Sequence, residues 1–165
     1  MGPKYGEKIQ TVPLYAPQVC TATTGVESAS VKLENVQWLS FLVYWGAMTS
    51  DSTDTITVGV ETSTAAGSTT SATAIPFKYR LSAVIGDDNQ GTITDATASG
   101  VTVTAAQTNM MLLIDVDPAS IPALDSNALY ANVFVVPVNI VTNYALGVIG
   151  QIEPRYPQNE NLSSS

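Results

Sequence analysis

The chain has 165 residues, enough for one domain that buries a sizeable core without help from disulfides or metal. Only 12% of them are charged, and 14 Asp+Glu against 6 Lys+Arg leave a formal net charge of −8, a balance that argues against nucleic acid and anionic membrane surfaces as partners. Histidine is absent and Cys20 is the single cysteine, so a Ser-His or Cys-His pair, a Cys-rich zinc site and an internal disulfide are all excluded.

The first residues carry Lys4, Glu7, Lys8 and Pro3 where a secretory signal needs an apolar run. Gly6 stands where a myristoylation start wants Ser or Thr. Residues 1–19 hold Pro3, Pro13 and Pro17 among the apolar Ile9, Val12, Leu14 and Tyr15. Proline fixes φ and cannot donate to a ladder, so this stretch reads as an extended arm. Such an arm either packs along its own sandwich or lies on a neighbour. Tyr5, Ile9, Val12, Leu14 and Tyr15 are therefore candidate interface residues, joined by Arg155 and Tyr156 near the other end.

From residue 26 onward, apolar residues fall at every second position in segment after segment. Val26 to Glu34 places Val31 and Leu33 on one face. Trp38 to Gly46 (WLSFLVYWG) is apolar on both faces, which suits a central strand buried between layers. Thr55 to Glu61 turns Ile56, Val58 and Val60 inward, and Phe77 to Ile85 repeats the scheme. Val101 and Val103 make a short strand. Met110 to Val116, Tyr130 to Val138 and Tyr144 to Ile152 complete about eight strands.

Turn residues separate them at Ser50–Ser52, Gly86–Gly91 and Ala98–Gly100. Thr62 to Ala74 is nearly all Thr, Ser, Ala and Gly and reads as a mobile surface loop. Asp117 to Ala128 carries Pro118 and Pro122, with Leu124 docking a short helical turn. Ser126 to Ile152 has no charge, but Asn, Pro and Gly interrupt it and its apolar residues alternate, so it reads as buried strands rather than a membrane span. The expected organisation is all-β: an arm over 1–19, a single antiparallel, jelly-roll-like β-sandwich over 20–157, and a disordered polar tail over 158–165. Removing residues 1–17 is expected to leave the sandwich folded.

Chemistry-bearing constellations are few. Asp115 and Asp117 share a strand face and suit Ca²⁺ if loop oxygens complete the shell; the simpler reading is a solvated strand end. Asp87-Asp88-Asn89 lacks the spaced calcium-loop pattern and reads as a turn cap. Asp51 and Asp54 bracket a Ser/Thr turn, where they bond local backbone. Trp38, Tyr44 and Trp45 suit a sugar-stacking platform, or a role in sheet packing given the apolar strand around them. Cys20 reads as a small semi-buried residue. No catalytic residue, metal ligand or cofactor site emerges.

Four runs carry a resemblance: Ile56-Thr-Val-Gly-Val-Glu-Thr-Ser-Thr, Ile75-Pro-Phe-Lys-Tyr-Arg, Met111-Leu-Leu-Ile-Asp-Val-Asp, and a last strand closing on Glu153-Pro-Arg-Tyr-Pro. Over roughly residues 26–157 the layout resembles small head proteins of tailed bacteriophages, namely the capsid decoration (cement or head-auxiliary) proteins with β-sandwich or jelly-roll folds. The resemblance implies a non-enzymatic virion protein, made in the host cytoplasm, on the outer surface of the capsid. It implies a homotrimer bound to the major capsid protein, holding neighbouring capsomers together without a cofactor. The alternatives are a carbohydrate- or host-binding β-sandwich of a fibre or spike, and another minor head or tail component.

Overall fold

A computed structural model of the chain describes residues 8–20, 25–48, 54–67, 71–82, 90–104, 106–107, 109–138 and 144–155. Side chains that alternate apolar and polar favour strands, since a strand puts successive side chains on opposite faces. The strands are β1 (Gln10–Cys20), β2 (Val26–Glu27), β3 (Val31–Lys32), β4 (Val36–Trp45), β5 (Thr55–Ser63) and β6 (Thr73–Ile75), then β7 (Phe77–Leu81), β8 (Thr94–Ala96), β9 (Val101–Thr104), β10 (Met111–Val116), β11 (Tyr130–Val138) and β12 (Tyr144–Pro154). A short helix, α1 (Ile121–Leu124), precedes β11. Among the described residues these strands form two six-stranded antiparallel sheets. The first runs β1-β12-β4-β10-β7-β8. In the second, β11 and β5 lie side by side, β2 and β3 share the free edge of β11, and β6 and β9 share that of β5.

The two sheets contribute to one core. Leu39, Phe41, Val43 and Trp45 line the inner side of β4, with Leu112, Ile114 and Val116 on β10 and Leu146, Val148 and Ile152 on β12. The second sheet meets them with Ile56, Val58 and Val60 on β5 and Ala131, Val133 and Val135 on β11. Each large aliphatic or aromatic side chain so buried contributes about 1.5–3 kcal/mol. The chain changes sheet at most of its connections, so neither sheet completes before the other. Pro76 makes one such change in a single residue: Ile75 ends β6 in the second sheet and Phe77 starts β7 in the first.

The arm expected over residues 1–19 is, over 10–20, an edge strand of the first sheet. β1 pairs antiparallel with β12 from Gln10↔Ile152 to Cys20↔Tyr144. Its register slips between Pro13 and Tyr15 and again between Tyr15 and Gln18. Edge position and bulges let a strand carry Pro13 and Pro17, which have no N–H to offer a second partner. They also blunt the edge against pairing with another chain. Leu14 is only 5% exposed and lies over Gly150, where a Cβ would come within 2.8 Å of its Cδ1. The Leu14 carbonyl also accepts the Ala29 N–H at 2.8 Å, which ties β1 to the chain entering the second sheet. Deleting residues 1–17 therefore removes a core side chain and uncovers β12, contrary to the expectation of an intact sandwich.

Other expectations need correction. Among the described residues twelve strands stand where about eight were expected, because short edge pieces carry too little alternation to be read. Val26–Glu34 is two pieces. Ser28 Oγ accepts the Val133 N–H at 3.0 Å and donates to the Ala29 carbonyl at 3.0 Å, so a side chain replaces the ladder between β2 and β3. β5 runs to Ser63, into the expected loop, because Thr62 Oγ1 donates to Asp125 Oδ2 at 2.8 Å and both Thr62 and Ser63 are buried. The helical turn docks through Ile121, 1% exposed, whereas Leu124 is 45% exposed. β7 ends at Leu81; Ala83 and Ile85 lie outside the described residues, as do residues 1–7 and 156–165.

Leu14→Ala is expected to cost about 2–5 kcal/mol, as other core truncations do. Urea unfolding followed by circular dichroism measures this, and a cost within error of zero contradicts the placement of β1.

Candidate interaction surface

Most residues expected to form an adhesive arm serve their own fold. Val12 and Tyr15 are half-buried and pack against the core, beside buried Leu14. The Tyr15 hydroxyl lies 3.6 Å from Cys20 Sγ, and burial, then Cys20, push its ionisation above the ordinary tyrosine range. Ile9 is half-buried just before β1. Arg155 is exposed, and its N–H bonds the Asn35 carbonyl at 2.7 Å. Tyr5 and Tyr156 lie outside the described residues.

The acidic candidates disperse. Asp115 Oδ1 accepts Ser40 Oγ at 2.7 Å and Trp38 Nε1 at 3.4 Å. Exposed Asp117 accepts the Ala119 N–H at 2.9 Å, a local turn that leads into α1. Asp51, Asp87 and Asp88 lie outside the described residues. Asp54 is 1% exposed, and neither of its carboxylate oxygens has a hydrogen-bond partner among the described residues. No three His, Cys, Asp or Glu residues gather to hold a metal ion among the described residues, and no helix there is long and apolar enough to cross a membrane.

What the fold does assemble is a broad outer face on the first sheet. Trp38, Ser40, Leu42 and Tyr44 of β4 point away from the core, opposite Leu39, Phe41, Val43 and Trp45. Antiparallel register then aligns them in rows across four strands. Ile149, Leu42, Leu113 and Arg80 form one row, and Gln151, Ser40, Asp115 and Lys78 the next. Gly147, Tyr44 and Met111 lie on one side, Glu153 and Trp38 on the other. The Tyr44 ring lies on Gly147, where a Cβ would come within 2.3 Å of it, so glycine is what lets the aromatic lie flat.

Leu42, Tyr44, Met111, Leu113 and Ile149 are all half-buried, and none belongs to the core or packs on it. Among the described residues, the strand read as buried between layers thus has a layer against one side and none against the other. The two tryptophans divide accordingly. Trp45 is 3% exposed and donates to the Gln107 carbonyl at 2.6 Å, whereas Trp38 is 41% exposed. The sequence signal for this face was the apolar outer positions of WLSFLVYWG; Leu113, Ile149 and Arg80 carry no such signal without the pairing.

Away from this face, a concavity of about 340 Å³ is lined by Leu33, Ile121, Pro122 and Leu129, with Lys32 and Arg155. Lys32 is engaged by Glu34 at 2.5 Å, which raises the lysine's ionisation and lowers the glutamate's. Neither a protein-family match nor a match among curated proteins is found for this chain.

Tyr144 is buried, its hydroxyl has no partner among the described residues, and burial, then Cys20 and Tyr15, push its ionisation far above that of a free tyrosine. An unfolded tyrosine ionises near pH 10 while this one stays protonated, so stability falls as pH climbs above about 10. Tyr144→Phe should be neutral or stabilising at pH 7, by up to about 1 kcal/mol. It should also make the alkaline fall shallower in urea titrations at pH 7 and above 10. A loss of several kcal/mol at pH 7 would show that the hydroxyl is satisfied.

Proposed function

We propose that this protein is a structural virion component that binds the outer surface of a phage capsid and stabilises contacts between capsomers, without catalysis. The observation that carries the reading is the outer face of the first sheet, where large apolar side chains stand outside the core and no described element covers them. A patch of this kind on a stable β scaffold marks a protein contact. The acidic balance of the chain favours solubility of a crowded particle surface. The phage setting, the jelly-roll connectivity and the major capsid protein as partner rest on the resemblance of the four sequence runs.

Binding only to the expanded shell stabilises that shell by mass action, by about 2.7 kcal/mol when free protein exceeds its Kd a hundredfold. Purified protein mixed with undecorated expanded heads of its phage should co-sediment and raise the temperature at which the heads open. Protein that stays in the supernatant at saturating concentration would overturn the proposal.

Trp38 favours a second reading, a carbohydrate-binding sandwich. Its indole is exposed and anchored by Asp115 on a sheet face, the geometry on which a sugar ring stacks. Titrating Trp38 fluorescence with neutral oligosaccharides, in a Trp45→Phe background, tests it: saturable quenching supports this reading, and an unchanged spectrum removes it.

A further inference from the structure

The open face has one feature that a generic adhesive patch lacks: its two flanks differ in charge. On the β12 flank stand Gln151 and Glu153; on the β7 flank stand Lys78 and Arg80. Lys78 is engaged by Asp95 at 2.5 Å, yet Arg80 Nε is buried without a hydrogen-bond partner among the described residues. Between the flanks the surface is apolar in the rows of Tyr44 and Leu42, and in the next row Ser40 donates to Asp115 at 2.7 Å. A surface with an apolar middle and opposite flanks is complementary to itself after half a turn.

We infer that a second copy of this chain covers the face, stacked sheet on sheet about a two-fold axis that runs parallel to the strands between β4 and β10. The inference rests on the reading of this face as a protein contact and commits its occupant. Such an axis keeps each row in line and exchanges the strands, β4 with β10 and β12 with β7. Leu42 then meets Leu113 of the second copy, Tyr44 meets its Met111, and Gln151 meets its Lys78. Glu153 approaches the same lysine from the adjoining row, and Arg80 gains acceptors on the opposite β12 flank. An axis across the strands would instead set Arg80 against Arg80, which like-charge repulsion disfavours.

The size is adequate. Thirteen outward positions, about 4.8 Å apart across the strands and 6.7 Å apart along them, cover on the order of 400 Å² per copy. Two copies together reach on the order of 800 Å², the size of a weak, micromolar pair. A two-fold pair also presents its remaining surface twice, so one pair reaches two capsomers at once and gains avidity from the second contact. The functional unit is then a dimer, in place of the trimer that the resemblance implies.

Light scattering of the full chain on a sizing column, at up to about 100 µM to reveal a micromolar dimer, should give twice the chain mass. Leu42→Lys should run at one chain mass with an unchanged circular dichroism spectrum. Gln151→Lys, facing Lys78 of the second copy, should weaken pairing about tenfold or more, and Lys78→Glu in the same chain should restore it. Because position 151 lies outside the core, this swap still reads out if Leu42→Lys misfolds. A wild-type monomer throughout overturns the inference, and so does a dimer that both lysine variants leave intact. A three-chain species that Leu42→Lys dissociates also overturns the two-fold pairing, while leaving the face a protein contact. A monomer that still binds heads overturns this inference and keeps the proposed capsid role.

Discussion

The inner ladder of β4, Leu39-Phe41-Val43-Trp45, set against Ile56, Val58 and Val60 of β5 and Val133 and Val135 of β11, is the contact on which the rest depends. It is dehydrated, it joins β4 to the next strand in sequence and to the distant β11, and it fixes which side of every neighbouring strand faces in. Once β4 has its inner side committed, strict alternation sends Trp38, Ser40, Leu42 and Tyr44 outward. Pairing then forces Leu113 and Ile149 to the same side. The adhesive face is thus a by-product of core register. A slip of one residue would exchange the two faces and bury Ser40 in place of Phe41.

The edges of that sheet are managed by different means. At one end β8 is three residues long and carries the charged pair of Asp95 with Lys78, a short edge with little to template. At the other, β1 is eleven residues long but is interrupted by two prolines and two register slips. With both edges blunted, association through main-chain pairing is discouraged and the flat face is left as the surface for partners. This division suits a protein that must assemble in one way and not aggregate in others.

Buried polar groups divide in the same manner between those the fold satisfies and those it does not. Ser28 and Ser30 bond backbone groups in the break between β2 and β3, and Asn132 donates to Glu61 at 2.8 Å. Glu27 lies beside that glutamate, and partial burial, then the neighbouring charge, raise its ionisation above the usual carboxylate range. These contacts pin the outer side of the second sheet. Asp54 and the Tyr144 hydroxyl stand apart as buried groups with no partner among the described residues.

The amino-acid sequence by itself determined the all-β class, the positions of β4, β5, β10, β11 and β12, and the inward sides of β5 and β10. Alternation is a local property, visible wherever seven or more residues keep it, as in Thr55–Glu61 and Met110–Val116. It also marked β4 as apolar on both faces. It did not reveal that Leu14 closes the core over Gly150, that Ser28 splits a strand, or that no described element covers the outer side of β4. Those outcomes depend on which strands become neighbours, and neighbours such as β1 and β12 lie more than a hundred residues apart. The arm shows the difference most clearly. Its prolines announce an extended chain, and either a foreign surface or the protein's own sheet would satisfy them. Only the tertiary structure supplied a vacant edge on β12 and a glycine deep enough to receive a leucine.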